Sequence, residues 1–145
     1  MSLYLDTSLL VSALTHEIDS AQVLNWLAQH SSGLVISDWV IAEFSAALSV
    51  KLRTDQISPG QREAALAAFS RICSRNATVL EVSRDHFRKA ARLADEYEPG
   101  IRAGDALHVA ICSDHGATLC TLDRRLCEAG PAFGVPTIAV SSLFD

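Results

Sequence analysis

Four carboxylates stand where chemistry could be done. Asp6 follows an apolar run in "YLDTS", Glu43 sits in "AEF", Asp105 opens "DALHVAICSDHG", and Asp123 follows "TLCTL". Each has a plain alternative. Asp105 reads equally well as a helix N-cap, and Asp123 as the cap of "RRLCEAG". Glu43 reads as a solvated helix residue, although Ile41, Ala42 and Phe44 flank it. Asp6 is harder to set aside, because no helix start or turn signal in the sequence needs it. If the four converge, their like charges raise and couple their pKa values. A hard divalent cation relieves that repulsion. Mg²⁺ takes oxygen ligands, keeps several waters, and is usually held by one or two carboxylates with substrate phosphate. Such a site activates water for in-line displacement at phosphorus, with one metal or two. The residue types point to phosphodiester hydrolysis.

Convergence depends on the elements that carry these residues. Five short apolar runs read as strands: Leu3–Leu5, Leu34–Ser37, 79–82, Thr118–Thr121 and 137–140. Helical patterning fills 20–30, 38–53 with Asp38 as its cap, 58–73 opened by Ser-Pro, 83–97, and 105–116 closed by Gly116. Strands alternating with helices imply an α/β fold with a mostly parallel sheet. Continuously apolar strands fit a sheet covered on both faces. In such folds the ligand site lies outside the carboxyl ends of the strands. Asp6 and Asp123 end strands, and Asp105 opens the helix leading into the fourth strand. Glu43 lies about a turn and a half into the helix leaving the second strand, at ~3.6 residues per turn. All four are therefore expected on one rim. Two helices separate the third and fourth strands, so the segment 83–97 must either cross at an angle or return toward the rim.

Composition bounds the rest. The 145 residues fit a single domain, 1–145, and 49% hydrophobic against 20% charged residues argues against disorder. Mean hydropathy is +0.20. No apolar run approaches the roughly 18–20 residues of a membrane span, and no basic leader precedes one. The expectation is a soluble, cytoplasmic protein. Cys73, Cys112, Cys120 and Cys127 form no C-x-x-C pair, so they read as free and mostly buried thiols. The net charge of −5 disfavours indiscriminate polyanion binding. Arg84, Arg88, Lys89 and Arg92 still form a local basic group, which is either a guide for a polyanion or a solvated helix face.

"YLDTS", "AEF", "RAGDALHVAI" and "TLDRRL", in that order, resemble the PIN domain, and in particular the VapC-type ribonuclease toxins of bacterial toxin–antitoxin pairs. The resemblance spans essentially the whole chain. It implies a three-layer α/β/α sandwich with a mostly parallel sheet of about five strands, and an endoribonuclease dependent on Mg²⁺ or Mn²⁺. Asp6, Glu43, Asp105 and Asp123 would take the four acidic places. Asp6 and Asp105 would be the main metal ligands. Asp123, and Glu43 through water, would complete the shell or orient the nucleophile. Thr7 and Ser8 beside Asp6, and Thr121 before Asp123, would be the supporting hydroxyls. The family also implies an RNA substrate, a homodimer, and a small antitoxin whose tail blocks the site. On that reading Arg102 would hold a phosphate. Trp26 and Trp39 fit core packing better than base stacking. The segment 59–73, with Ala64, Ala65, Leu66, Ala68, Phe69 and Ile72, offers a dimer face.

Three rivals carry distinct signatures. A metal-independent ribonuclease would use His16, His30, His86, His108 or His115 as acid and base, and would survive chelation. A phosphatase with Asp6 as nucleophile would want a second acid where this chain has Ser8. A non-cleaving PIN-like module would bind RNA or protein with no use for four intact acids.

Overall fold

In a computed structural model, residues 2–96, 98 and 100–144 are described. Strands β1 (Leu3–Leu5), β2 (Leu34–Ser37), β3 (Ala77–Leu80), β4 (Thr118–Thr121) and β5 (Thr137–Ala139) form one sheet in the order β3-β2-β1-β4-β5. Every neighbouring pair is parallel. Helices α1 (Thr7–Leu14) and α2 (Ser20–Gln29) follow β1, and α3 (Asp38–Arg53) and α4 (Pro59–Arg75) follow β2. Next come α5 (Arg84–Ala94) and α6 (Ala103–His115) after β3, and α7 (Arg124–Ala132) after β4. A short 3-10 turn, Val140–Leu143, follows β5. The architecture is a three-layer α/β sandwich.

The strand order creates a crevice. From β1 the chain moves outward through β2 to β3, then returns to β4 beside β1 and moves outward the other way to β5. Crossovers between parallel strands are almost always right-handed. That rule places α1–α4 on one face and α5–α7 on the other. The chains leaving β1 and β4 therefore diverge to opposite faces, and a ligand site opens between their carboxyl ends. Asp6 and Asp123 sit there.

Burial explains the unalternating strand sequences. Every residue of the central strands β1 and β4 is buried, whereas β3 and β5 at the edges are largely half-buried. Phe44 of α3 stacks on Phe69 of α4 with ring centroids 4.2 Å apart. Ala65 and Phe69 thus belong to the core, and Leu66 and Ile72 pack against it. The apolar surplus expected to form a dimer face on α4 is mostly spent inside the chain. Cys112 and Cys120 are buried free thiols, and burial pushes Cys120 up to about 12. Among the described residues, no helix is long and apolar enough to cross a membrane.

Several boundaries differ from expectation for local reasons. β3 runs from Ala77 to Leu80 because its register pairs Leu34 with Ala77 and Ser37 with Leu80. Glu81 and Val82 lie past the end of β2 and have no ladder partner. Ser37, not Asp38, caps α3, its hydroxyl accepting from the Val40 N–H at 3.3 Å. α6 starts at Ala103, so Asp105 is its third residue and not its cap. α4 and α5 begin with reciprocal capping boxes, Ser58 with Gln61 and Ser83 with His86. Gly116 closes α6 in the left-handed region at φ 62°.

α5 returns toward the rim. His86 meets Asp114 and Lys89 meets Ser113 near the end of α6, while Ala94 and Ala103 line one groove at its start. The two helices are antiparallel. Lys89 and Arg92 consequently lie with Asp114, at the end of α6 away from Asp105. The basic group does not reach the rim acids.

Candidate active site

Asp6 follows β1 directly, and its N–H extends the ladder by bonding the Cys120 carbonyl at 3.1 Å. Its side chain is only 4% exposed. Oδ1 accepts from the Ser8 hydroxyl at 2.5 Å and the Leu9 N–H at 3.4 Å, and Oδ2 accepts from the Thr121 hydroxyl at 2.6 Å. Asp6 is therefore the N-cap of α1, a role with no signal in the residues around it. Two further bonds tie the loops at the switch point together. Ser8 Oγ accepts from the Leu122 N–H at 3.2 Å, and Thr121 Oγ1 accepts from the Asp123 N–H at 2.9 Å. Burial pushes the Asp6 carboxyl up. The nearby His108 ring and the bonds from Ser8, Thr121 and Leu9 oppose this without cancelling it.

Glu43 is held from two sides. Its Oε1 accepts from the Thr7 hydroxyl at 2.6 Å and from His108 Nε2 at 2.6 Å. Thr7 therefore supports Glu43, while Ser8 supports Asp6; the two adjacent hydroxyls divide between two acids. Burial alone would raise Glu43. The hydrogen bond and close approach of His108, and the Thr7 hydroxyl, together hold it below the usual carboxylate range. A close approach between α3 and α6 makes this possible. A Cβ on Gly104 would lie 3.3 Å from Glu43 Oε2 and 3.4 Å from Trp39 Cζ2. Trp39 Nε1 donates to the Gly104 carbonyl at 3.3 Å, and the ring is half-buried beside the rim.

Asp105 and Asp123 line one cleft of about 30 Å³, with Arg102 and Arg125 on its walls. Burial raises the Asp105 carboxyl, His108 opposes it, and Asp123, Asp6 and Glu43 add to the rise. The four acids therefore act on one another's field at Asp105. Asp123 does cap α7, as its plain reading held: Oδ1 accepts from the N–H groups of Arg125 at 2.9 Å and Leu126 at 3.3 Å. That duty occupies one oxygen. Asp123 Oδ2 and both oxygens of Asp105 have no hydrogen bond among the described residues.

The donor set suits a hard cation. Among the described residues, no lysine, arginine or histidine pairs with Asp6, Asp105 or Asp123, and Glu43 pairs only with His108. The raised carboxyls of Asp6 and Asp105, and the lack of a counter-charge on any of the three aspartates, leave the site short of positive charge. The rim acids are spread more widely than the trio His86, Asp114 and His115, whose ligand atoms lie within 4.8 Å of one another. Wide spacing fits an ion that keeps much of its water. The trio is the poorer site despite its compactness. His86 Nδ1 accepts from the Ser83 N–H at 2.9 Å, which puts the ring hydrogen on Nε2, where it faces Asp114. That nitrogen has no free lone pair for a metal.

Reading the sequence singled out neither Tyr4, Ser37 nor Arg125. A tyrosine in a buried strand needs a partner for its hydroxyl, and Tyr4 shares a strand face with Asp6 two residues on. His108 lies three residues after Asp105, on the same helix face. Those were the available signals.

Known proteins share this framework. PAE2754 from Pyrobaculum aerophilum superposes with a TM-score of 0.71 at 24% identity, covering 99% of this chain and 93% of that one. The Mycobacterium tuberculosis toxin VapC20, described as cleaving the sarcin-ricin loop, gives 0.74 at 19% identity, covering 89% and 95%. VapBC2 from Rickettsia felis, bound to a promoter DNA fragment, gives 0.65 at 21%, covering 95% and 98%. At these identities the likeness is one of fold. No curated protein matches the chain significantly by sequence. The family model of the PIN domain matches residues 3–130, nearly the full length, and the chain belongs to the PIN domain family.

Proposed function

We propose that the protein is a divalent-metal-dependent endoribonuclease and serves as the toxin of a VapBC-type toxin–antitoxin pair. One observation carries the reading. Asp105 and Asp123 line one cleft with two arginines, Asp6 is tied through Thr121 to the loop that carries Asp123, and none of the three has a cationic partner among the described residues. Asp6, Asp105 and Asp123 would hold Mg²⁺ or Mn²⁺. When bound, the ion polarises a phosphate oxygen and the attacking water. Glu43 has Oε1 committed to Thr7 and His108, which leaves Oε2 to orient that water and accept its proton. Arg102 and Arg125 flank the cleft and can bind the phosphates on either side of the scissile bond. Ser8 and Thr121 keep both oxygens of Asp6 in place. The open rim suits single-stranded or looped RNA, whose bases can splay out.

VapC20 is described as cleaving an RNA loop, and others of similar fold are described as toxin–antitoxin complexes. These descriptions support RNA as substrate and a cognate antitoxin as partner; a homodimer, a small antitoxin and action in the cytoplasm complete the reading. A non-cleaving RNA- or protein-binding module would have no need for uncompensated carboxylates. Induction of the protein alone should arrest bacterial growth, and Asp105→Asn should relieve the arrest. Equal arrest by the variant at equal protein level would reject the reading.

A further inference from the structure

A chain of buried polar groups ends on Glu43. Ser37 Oγ lies 2.7 Å from the Tyr4 hydroxyl, which lies 2.7 Å from His108 Nδ1; Nε2 of the same ring lies 2.6 Å from Glu43 Oε1. Ser37 and Tyr4 are 0% exposed and His108 is 2% exposed, so water cannot substitute for the links from Ser37 to Tyr4 and from Tyr4 to His108. The residues come from four elements: β1, the end of β2, α3 and α6. Ser37 is also the cap of α3, but nothing in that duty calls for a hydroxyl at Tyr4 or an imidazole at His108 within the apolar core. Buried polar networks are costly unless every member is satisfied.

One hydrogen order satisfies all of them. The Val40 N–H donates to Ser37 Oγ at 3.3 Å. The Ser37 hydroxyl then donates to Tyr4, the Tyr4 hydroxyl donates to Nδ1, and Nε2–H donates to Glu43. Reversing the first link leaves the Ser37 hydrogen without an acceptor in a fully buried side chain. The cap of α3 thus sets the direction of the chain, and the chain delivers a single N–H to the carboxylate. With Thr7 it occupies Oε1 alone, and the other oxygen faces Gly104, the residue before Asp105.

We infer that Ser37, Tyr4 and His108 are positioning residues that fix the tautomer of His108 and thereby aim Glu43 Oε2 at the rim. The inference rests on the nuclease reading above for its effect on turnover, but not for its hydrogen-bond order. Two amide variants separate positioning from packing. The amide nitrogen of Gln reaches the place of Nε2, whereas that of Asn reaches only the place of Nδ1. His108→Gln should cleave single-stranded RNA at least about tenfold faster than His108→Asn, with the difference in kcat and KM values within about twofold. Both variants are first compared by thermal melting, and Tyr4→Phe provides an independent break in the chain. Nitrogen NMR of the imidazole gives the readout that needs no activity. The ring hydrogen should sit on Nε2 in the wild type, and in Tyr4→Phe the Nδ1 resonance should shift as it loses its donor while Glu43 still holds the Nε2 hydrogen. Equal turnover of the Gln and Asn variants, or a hydrogen on Nδ1 in the wild type, would overturn the inference. A wild type that shows the Nε2 hydrogen but cuts no RNA would instead remove the nuclease reading.

Discussion

Asp6→Asn should abolish the response of the fold to Mg²⁺ while keeping the shape of the site. The amide is isosteric with the carboxylate, and its oxygen can still accept from Ser8 and the Leu9 N–H. What disappears is a negative charge at a position 4% exposed, whose field acts on Asp105. Ligand binding to the folded state alone stabilises by RT ln(1 + [L]/Kd), which is about 1.4 kcal/mol at ten times Kd. For a chain of this size that shifts Tm upward by about 3–6 °C. The pH dependence follows from the raised carboxyls of Asp6 and Asp105. A carboxyl raised by folding contributes stability that is fully present below its unfolded value, about 3.9 for Asp. That contribution is lost as pH rises through the higher folded value. The metal-free fold therefore bears the repulsion at pH 7.5, where Mg²⁺ relieves it, and at pH 5 protons compete for the same oxygens. Melting with and without Mg²⁺ at the two pH values is the assay. The wild-type shift should be larger at pH 7.5 than at pH 5, and Asp6→Asn should shift by less than about 1 °C on the same scale. An undiminished shift in the variant, or a wild-type shift that grows toward pH 5, would refute the placement of the ion.

Other substitutions test separate parts. Gly104→Ala gains up to about 1 kcal/mol of helix propensity, which roughly offsets the 3.3 and 3.4 Å contacts a Cβ makes with Glu43 and Trp39. Melting should change by only a few degrees, while RNA cleavage falls on the order of tenfold because Glu43 is displaced; unchanged cleavage would count against Glu43. Phe44→Ala breaks the stack on Phe69 and should cost about 3–5 kcal/mol in urea unfolding. Arg125→Ala should raise KM for RNA and lower the salt slope of binding by about one, since one phosphate contact is lost. Ser83→Ala removes one half of the α5 capping box, far from the rim, and should cost about 1 kcal/mol without changing turnover.

Much of this architecture is written in short-range pattern. Leu3–Leu5 and Thr118–Thr121 read as buried parallel strands because nothing in them alternates, and both are central in the sheet. The carboxyl-edge rule then located Asp6 and Asp123 without knowledge of strand order. Pairings between distant segments were out of reach. The end of β3 is set by where β2 stops, not by the apolar run that continues to Val82. Helix α1 is eight residues long and opens on hydroxyls, too short for its periodicity to stand out, and its cap therefore reads as a residue with no structural duty. The direction of α5 depends on His86 meeting Asp114 and Lys89 meeting Ser113, contacts 28 and 24 residues apart. Thr7 and Ser8 are adjacent in sequence, yet the first turn of a helix sends them to different acids. The polar chain from Ser37 to Glu43 joins residues up to 104 positions apart and left only single-residue hints.

The most direct test of a metal-dependent endoribonuclease is cleavage of an end-labelled, single-stranded RNA by the purified protein. With Mg²⁺ the wild type should give discrete internal cuts, full chelation should stop them, and restored Mg²⁺ should return them. Asp6→Asn and Asp105→Asn, folded by melting, should give none. Cutting that survives chelation, or that persists in both variants, would contradict the account.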